Sequence, residues 1–265
     1  MTEKKTEPDI LGKDGCLRCG MCGKRKQIKV NFMGSERTVN CLCDCEIKER
    51  QEREEQIRRE EAQRDLYRRK SVGLKDRRFW EWRFENDDGS NDKMLIARQY
   101  VEHWGEMKVK NVGLLLMGPV GTGKSFFAGC IANALLEQGE RVMMTNFSRI
   151  LNELTKYQAD KNLIVQNLVD YPLLIIDDLG IERSSEFALE QIYNVIDSRY
   201  CKMKPLIITT NLGLNEMKET SLDISHRRIY SRILEMCVPV FCGGEDKRKS
   251  EGTEKLWQMQ ELLKS

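Results

Sequence analysis

Histidine and long apolar segments are scarce in this sequence, and each shortage excludes a class of function. Only two of the 265 residues are histidine, His103 and His226, so a catalytic site built on histidine is not expected. No apolar run approaches the ~20 residues that a membrane-spanning helix needs. The stretch from Met1 to Lys5 lacks the apolar core of a signal peptide. We therefore expect a cytoplasmic protein with no membrane partner.

Excess charge of one sign is lacking too. The chain has 44 Lys and Arg against 42 Asp and Glu, a formal net charge of +2. A charge this small does not predict nucleic-acid binding, so any basic patch must come from local arrangement. Cysteine, in contrast, is concentrated: six of the ten cysteines lie between Cys16 and Cys45. In a reducing cytoplasm such a group favours a bound metal over disulfides.

The cysteines near the N-terminus have the spacing of a metal site. A two-residue spacing, as between Cys19 and Cys22, lets both sulfurs turn toward one ion. Four thiolates suit Zn²⁺, and residues 27–40 alternate as a small hairpin that buries too little apolar surface to fold without an ion. An iron–sulfur cluster is the less favoured alternative, because nothing downstream suggests redox chemistry. We predict a structural Zn²⁺ site formed by Cys19, Cys22, Cys43 and Cys45, with Cys41 as the first alternate ligand and Cys16 as the second.

A highly charged stretch follows. Seventeen of the twenty-five residues in 46–70 are charged, nine basic and eight acidic. Acid–base pairs four residues apart recur along it, and each stabilises a solvated helix by about 0.2–0.5 kcal/mol. Apolar residues are too sparse for a coiled-coil seam. We therefore predict a zinc-binding module over 1–45, a charged helical linker over 46–74 and a packed domain over 75–265.

A phosphate-binding loop lies in the packed domain. Residues 118–125 fit the pattern G-x-x-x-x-G-K-[ST] at every fixed position, between an apolar run typical of a buried strand and a helical stretch. In such a loop, backbone N–H groups converge on phosphate oxygens, the lysine reaches the β- and γ-phosphates, and the serine hydroxyl holds Mg²⁺. The predicted ATP-binding residues are Gly118, Pro119, Val120, Gly121, Thr122, Gly123, Lys124 and Ser125.

Two further apolar runs end in polar residues. Leu173 to Ile176 leads into Asp177 and Asp178, and residues 205–210 lead into Asn211. We predict that Asp177 orients the Mg²⁺ shell and that Asp178 polarises the water that attacks ATP. Strands that are apolar throughout and alternate with helices predict a parallel sheet covered on both faces, with its ligand at the carboxyl ends of the strands.

Arg228 and Arg232 lie one helical turn apart near the end of the domain. From the residues alone, two interpretations stay open. The arginines belong to a solvated helix face, or one of them is presented to the nucleotide of a neighbouring subunit, where it stabilises the charge that develops during phosphoryl transfer.

Four motifs occur in order: the phosphate loop, the stretch 173–182, Asp197 to Tyr200, and the stretch 207–212. This set resembles the DnaC/DnaI-type helicase loaders, which are AAA+ ATPases grouped with the IstB transposition helpers. The resemblance covers about residues 75–248, and the cysteine-rich front is similar to zinc-bearing modules of such loaders. It implies an α/β fold with an AAA+ P-loop NTPase core and no lid domain, after the zinc-binding module and the helical linker.

The resemblance also implies roles for individual residues. Asn211 matches a nucleotide-sensing position, Arg232 matches the arginine finger and is preferred to Arg228, and Arg248 matches a terminal arginine that contacts nucleotide. Residues 146–170 take the place of an extra helix found in initiators and loaders. Single-stranded DNA contacts are expected there from Arg149, Lys156 and Lys161.

The expected function is that of an ATP-dependent DNA replication protein. It docks on a hexameric replicative helicase through the zinc module, associates with copies of itself on single-stranded DNA, and hydrolyses ATP to ADP and phosphate as a switch. A transposition helper of the same fold is the first alternative. The second is a nucleotide-binding adaptor that sequesters helicase without loading it.

Overall fold

The computed structural model describes residues 7–89, 91–158, 160–180, 185–219, 222–244, 246, 257, 259–260 and 262–263. Arg248 and the last two residues of the stretch 173–182 lie outside the described residues. The chain divides into two compact units, Met1–Asp65 and Leu66–Ser265. No helix in the described part of the chain combines the length and apolar character needed to cross a membrane.

The first unit contains two small antiparallel ribbons. Strand β1 (Ile10–Leu11) pairs with β2 (Leu17–Arg18), and β3 (Gln27–Phe32) pairs with β4 (Ser35–Asn40). The second ribbon is the predicted hairpin, and its two-residue turn places both Met33 and Gly34 at positive φ. Both of its strands are largely exposed, whereas Cys16, Cys19 and Cys43 are buried. The interior of this unit is therefore built around cysteine.

A single helix, α1, runs over Asp44–Gly73 and contains most of the charged stretch. Ion pairs four residues apart form along its exposed surface, among them Arg50–Glu54 and Arg59–Glu55. Its last turn differs from the rest because it is packed: Lys70 is buried and pairs with Glu137 at 3.1 Å. The predicted solvated helix is thus observed, and its final turn belongs to the second unit.

The second unit is a five-stranded parallel sheet in the order β6-β7-β8-β5-β9. Its strands are β5 (Gly113–Met117), β6 (Val142–Asn146), β7 (Leu173–Leu179), β8 (Leu206–Thr210) and β9 (Cys237–Phe241). Its helices are α2 (Met94–Glu102), α3 (Trp104–Val109), α4 (Lys124–Glu137), α5 (Phe147–Leu154), α6 (Lys161–Val169), α7 (Glu186–Cys201), α8 (Leu214–Met217) and α9 (Ile224–Met236). Two 3₁₀ turns, Arg77–Glu81 and Phe84–Asn86, precede α2.

Helices cover both faces of this sheet, as the apolar strands predicted. Alternate residues of β5 point to opposite sides, so Leu114 and Leu116 join a core with α2 and α4. Leu115 and Met117 join a second core with α5, α7 and α9. Because every residue of β5 is buried, the loop that follows Met117 starts from a fixed point.

Arg199 is fully buried and fixes the amino ends of two neighbouring strands, β7 and β8. Its guanidinium donates to the backbone carbonyl oxygens of Val169 at 3.1 Å, Tyr171 at 2.5 Å, Pro172 at 3.3 Å and Pro205. These carbonyls precede β7 and β8, so one side chain satisfies the backbone at the start of both strands. Arg199 thereby fixes the amino ends of β7 and β8 relative to each other, and the candidate site lies at the opposite, carboxyl ends of these strands.

Candidate nucleotide site and cysteine cluster

The phosphate loop joins the end of β5 to the start of α4. Gly118, Gly121 and Gly123 have φ values of 142°, 80° and 84°. These are backbone conformations that L side chains rarely adopt, so glycine at these positions lets the loop curl. Helix α4 begins at Lys124, directly after the loop. The backbone N–H groups of its first turn have no partner within the helix, and together with the helix dipole they favour an anion at this point.

Lys124 links the loop to the neighbouring strand. Its ammonium donates to the backbone oxygens of Gly118 at 2.8 Å and Pro119 at 2.6 Å, and to Asn211 Oδ1 at 2.8 Å. The side chain is only 5% exposed, so the charge lies inside the loop rather than in solvent. The structure therefore brings together the predicted loop lysine and the predicted polar residue after β8.

Asp177 lies beside the first turn of α4. Its carboxylate oxygen Oδ1 accepts from Thr209 Oγ1 at 2.6 Å, and the Ser125 hydroxyl is close enough to lower its pKa. Burial raises the pKa of Asp177 above its ordinary value, and the hydroxyls of Thr209 and Ser125 oppose that rise. A carboxylate and a hydroxyl so placed are oxygen ligands of the kind that Mg²⁺ takes.

Asp178 occupies an irregular backbone position. The pairing of β7 with β8 shifts register between Ile176 and Leu179, and Asp178 within this bulge has φ of 59°. Its N–H donates to Thr209 Oγ1 at 2.8 Å. A bulge turns its residue away from the regular alternation of the strand. Consequently Asp177 and Asp178, adjacent in sequence, leave the sheet at different angles, one buried and one half-exposed.

Thr209 was missed by the sequence reasoning, although it holds both aspartates. Its hydroxyl is fully buried, donating to the Asp177 carboxylate and accepting from the Asp178 backbone. The available signal was the pair of threonines, Thr209 and Thr210, that ends the apolar run of β8. Only the β7–β8 pairing reveals which residues it contacts.

A third carboxylate lies against the loop. A Cβ atom placed on Gly121 would overlap the side chain of Asp246, so the carboxylate touches the loop backbone. This residue follows β9 and places a carboxyl group next to a site formed for anions. No sequence pattern indicated the contact.

The predicted arginine lies elsewhere. Helix α9 leads directly into β9, whose first residue pairs with the first residue of β5, so Arg232 lies toward the amino end of the sheet, opposite the phosphate loop. Its Nε donates to Asp197 Oδ1 at 2.6 Å. Arg228 is exposed. The structure does not bring Arg232 to the nucleotide site of its own chain.

In the first unit, the structure brings together the four predicted cysteines. The sulfur atoms of Cys19, Cys22, Cys43 and Cys45 all lie within 4.8 Å of one another. Cys41, the first alternate, instead directs its Sγ to the backbone oxygen of Arg25 at 3.4 Å. Cys16, the second alternate, is buried outside this cluster.

Local backbone contacts position these sulfurs. Gly23 N–H donates to Cys19 O at 2.8 Å and closes the first turn. Glu46 accepts from Cys43 N–H at 3.0 Å, which places Cys43 at the start of α1.

The thiols of this cluster have shifted pKa values. A backbone hydrogen bond at Lys24 lowers the pKa of the Cys22 thiol to about 6. The hydrogen bond between Cys45 and Cys22 raises the pKa of the Cys45 thiol to about 12. Four thiol donors in contact fit a soft or borderline cation.

The three basic residues expected to bind DNA all lie on α5, α6 and the segment between them. Arg149 is 3.8 Å from Asp76, Lys156 is 2.6 Å from Glu153, and Lys161 lies over the ring of Phe187 at 5.1 Å. Lys156 and Lys161 are exposed, and Arg149 is half-buried.

Comparison with known proteins agrees with this geometry. Residues 23–254 match the family described as IstB-like ATP binding protein. The replicative helicase loader DnaC of Escherichia coli (strain K12) is 27% identical over 134 residues, covering 49% of this chain and 54% of DnaC. The putative ATP-binding protein Rv3427c in an insertion sequence of Mycobacterium tuberculosis (strain ATCC 25618 / H37Rv) is 33% identical over 105 residues, covering 38% of this chain and 41% of that protein. The matched part thus spans about half the length of these relatives.

The crystal structure of DnaI has a TM-score of 0.55 at 20% identity, over 68% of this chain and 98% of that chain. This likeness shows a shared fold, and the family match extends over most of the sequence, including the phosphate loop and both aspartates. The chain belongs to the IstB-like ATP binding protein family and has the AAA+ fold of the DnaC and DnaI helicase loaders.

Proposed function

We propose that this protein hydrolyses ATP to ADP and phosphate at the carboxyl ends of the sheet strands, where Lys124, Asp177 and Asn211 meet. The observations that carry the proposal are the hydrogen bond from Lys124 to Asn211 and the buried carboxylate of Asp177 beside Ser125. A loop that only binds phosphate does not need them. They connect it to a buried acid and to a polar amide, the groups that phosphoryl transfer uses.

In this proposal, Lys124 exchanges the carbonyl oxygens of Gly118 and Pro119 for the β- and γ-phosphate oxygens. Ser125 and Asp177 would hold Mg²⁺, which would supply neutralisation of the phosphate charge. Asp178 orients the attacking water and accepts its proton, and Asn211 contacts the γ-phosphate.

Arg232 acts on the nucleotide of a second copy. It lies toward the amino end of the sheet, away from its own phosphate loop, which supports a role at a neighbour's site. Two inactive variants test this, because each lacks a different half of the shared site. Mixing Lys124→Ala with Arg232→Ala protein should restore part of the ATPase rate, since some interfaces then combine an intact loop with an intact arginine. No recovery at any mixing ratio would show that Arg232 acts within its own chain or not in catalysis.

The cellular role that we propose is loading of a hexameric replicative helicase onto single-stranded DNA. It is supported by the similarity to DnaC, which is named as a replicative helicase loader. Residues 1–45 would dock on the helicase in the reducing cytoplasm, with four of their six cysteines, Cys19, Cys22, Cys43 and Cys45, holding Zn²⁺ as a structural ion. Residues 46–74 would be the linker to the ATPase domain, residues 75–265. Arg149, Lys156 and Lys161 would contact DNA phosphates.

A transposition helper is the competing function, and the similarity to Rv3427c favours it. An adaptor that holds helicase without loading it is the third. Light scattering of the full chain mixed with a hexameric helicase, with and without Mg–ATP, separates them. A loader forms a complex that ATP changes, and its ATPase rate responds to single-stranded DNA. An adaptor forms the complex without that response, and a transposition helper forms no complex.

A further inference from the structure

Arg232 is held by three side chains of α7 and by the turns of α9 around it. Its Nε donates to Asp197 Oδ1 at 2.6 Å. Its guanidinium carbon lies 4.8 Å from the ring centre of Tyr193 and 5.7 Å from that of Tyr200. The Tyr200 hydroxyl in turn donates to Glu235 Oε1 at 2.8 Å, which fixes that ring against α9.

These contacts use one edge and the face of the guanidinium. Among the residues that the structure describes, neither terminal amino group of Arg232 has a hydrogen-bond partner. Those two groups form the fork that binds phosphate oxygens in pairs. The side chain is 27% exposed, so the fork is accessible although the stem is packed. Asp197 and the rings therefore restrict the direction of Arg232 without occupying the atoms that would meet a phosphate.

Stability does not account for this arrangement. The Asp197 side chain is 32% exposed, and ion pairs between partly exposed groups contribute little to folding. An arginine that is free in solution, by contrast, must lose much of its rotamer freedom when it meets a ligand. Holding the side chain in advance removes that cost from the step in which it is used.

We propose that Asp197 and Tyr193 are positioning residues that present the Arg232 fork to the nucleotide of a neighbouring copy. This rests on the proposed ATPase function, since Arg232 has no phosphate to meet otherwise. Asp197 sets the direction of the guanidinium through Nε, and Tyr193 supports its flat face. Neither residue touches nucleotide.

The test measures steady-state ATP hydrolysis by the full chain, at protein concentrations where it self-associates, together with Mg–ATP affinity by calorimetry. Asp197→Asn should lower kcat about tenfold, as expected when a catalytic group loses its orientation, and should leave KM and Mg–ATP affinity unchanged. Tyr193→Leu should act in the same direction, whereas Tyr193→Phe keeps the aromatic face and should retain wild-type kcat. A purely structural role would shift stability and affinity instead.

Asp170→Asn is the matched control. Asp170 also forms partly exposed ion pairs, with Lys202 at 2.7 Å and Lys204 at 3.5 Å, but it has no contact with Arg232. This variant should keep wild-type kcat. The double variant Asp197→Asn with Arg232→Ala should match Arg232→Ala alone within about twofold, because a positioning residue has no effect once its target is gone.

Two results would overturn the proposal, and they differ from failure of the function itself. Asp197→Asn with wild-type kcat, while Arg232→Ala is impaired, removes the positioning role and leaves the arginine role intact. Additive losses in the double variant do the same. Wild-type kcat in Arg232→Ala would contradict both the positioning role of Asp197 and the catalytic role of Arg232. Absence of Mg–ATP hydrolysis by the wild-type chain would contradict the proposed ATPase function itself.

Discussion

Replacing Thr209 with valine tests the connection between the two strands that end at the nucleotide site. Valine has the same branched shape as threonine, so the change replaces one hydroxyl with a methyl group of similar size. The Asp177 carboxylate then loses its hydrogen bond of 2.6 Å, and the Asp178 N–H loses its acceptor at 2.8 Å. A buried hydrogen bond to a charged group is worth about 1.5–3 kcal/mol, and an unsatisfied N–H costs about 1–3 kcal/mol.

We therefore expect Thr209→Val to lower the free energy of unfolding by about 2.5–6 kcal/mol, measured by urea titration without nucleotide. The effect on turnover should be separate and larger. Asp178 sits at φ of 59°, and its N–H bond to Thr209 is the side-chain contact that fixes it there. A shift of about 1 Å in a catalytic group can reduce a rate by about 100-fold, so single-turnover hydrolysis at saturating Mg–ATP should fall by one to two orders of magnitude.

The pH profile should move as well. Burial raises the pKa of Asp177, and the Thr209 hydroxyl opposes that rise. The deprotonated form holds Mg²⁺, so activity is lost as the pH falls through this pKa. Without the hydroxyl, the pKa rises further, and the acid limb of the rate profile should move to higher pH.

Thr210→Val is the matched control. Thr210 is equally buried, donating to Leu179 O at 2.8 Å and accepting from Leu212 N–H at 3.1 Å, but it contacts neither aspartate. This variant should lose stability and retain turnover in the folded fraction. Equal loss of turnover in both variants, or wild-type turnover in Thr209→Val, would refute the positioning of Asp178 by Thr209.

Two further perturbations address the loop and the cysteine cluster. Asp246→Asn removes a carboxylate that touches the loop at Gly121 and would repel the phosphates of ATP. The affinity for Mg–ATP, measured by calorimetry, should therefore rise about tenfold. Weaker binding would mean instead that the carboxylate supports the conformation of the loop. Metal chelation should unfold the first unit, seen by circular dichroism, because thiolate-bound zinc supplies most of the folding free energy of such modules. Cys43→Ser should mimic chelation, whereas Cys41→Ser should bind metal normally, and the reverse ranking would contradict the ligand set.

The parts of the structure that the sequence predicts are those that depend on residues adjacent in the chain. The phosphate loop needs glycine at fixed positions, and Asp177 and Asp178 follow a run of apolar residues that is typical of a buried strand. Strand and helix periodicity then determined the parallel sheet with helices on both faces. The four sulfurs that the structure brings together are the four that the spacing selected.

The remaining parts depend on pairing between distant segments. The contacts of Thr209 depend on the register of β8 against β7. The conformation of Asp178 depends on a bulge that no residue type in the sequence predicts. Asp197 contacts Arg232 across two helices, at a separation of 35 residues. Such contacts follow from tertiary packing, which local patterns do not encode.

Calorimetric titration of the full chain with Mg–ATP tests the central claim, that the loop at residues 118–125 binds the triphosphate. The wild-type chain should give a saturable heat with one site per chain, and Lys124→Ala should give none, because its ammonium is the buried charge inside the loop. Absence of heat from folded wild-type protein at millimolar Mg–ATP, or equal binding by Lys124→Ala, would contradict the account.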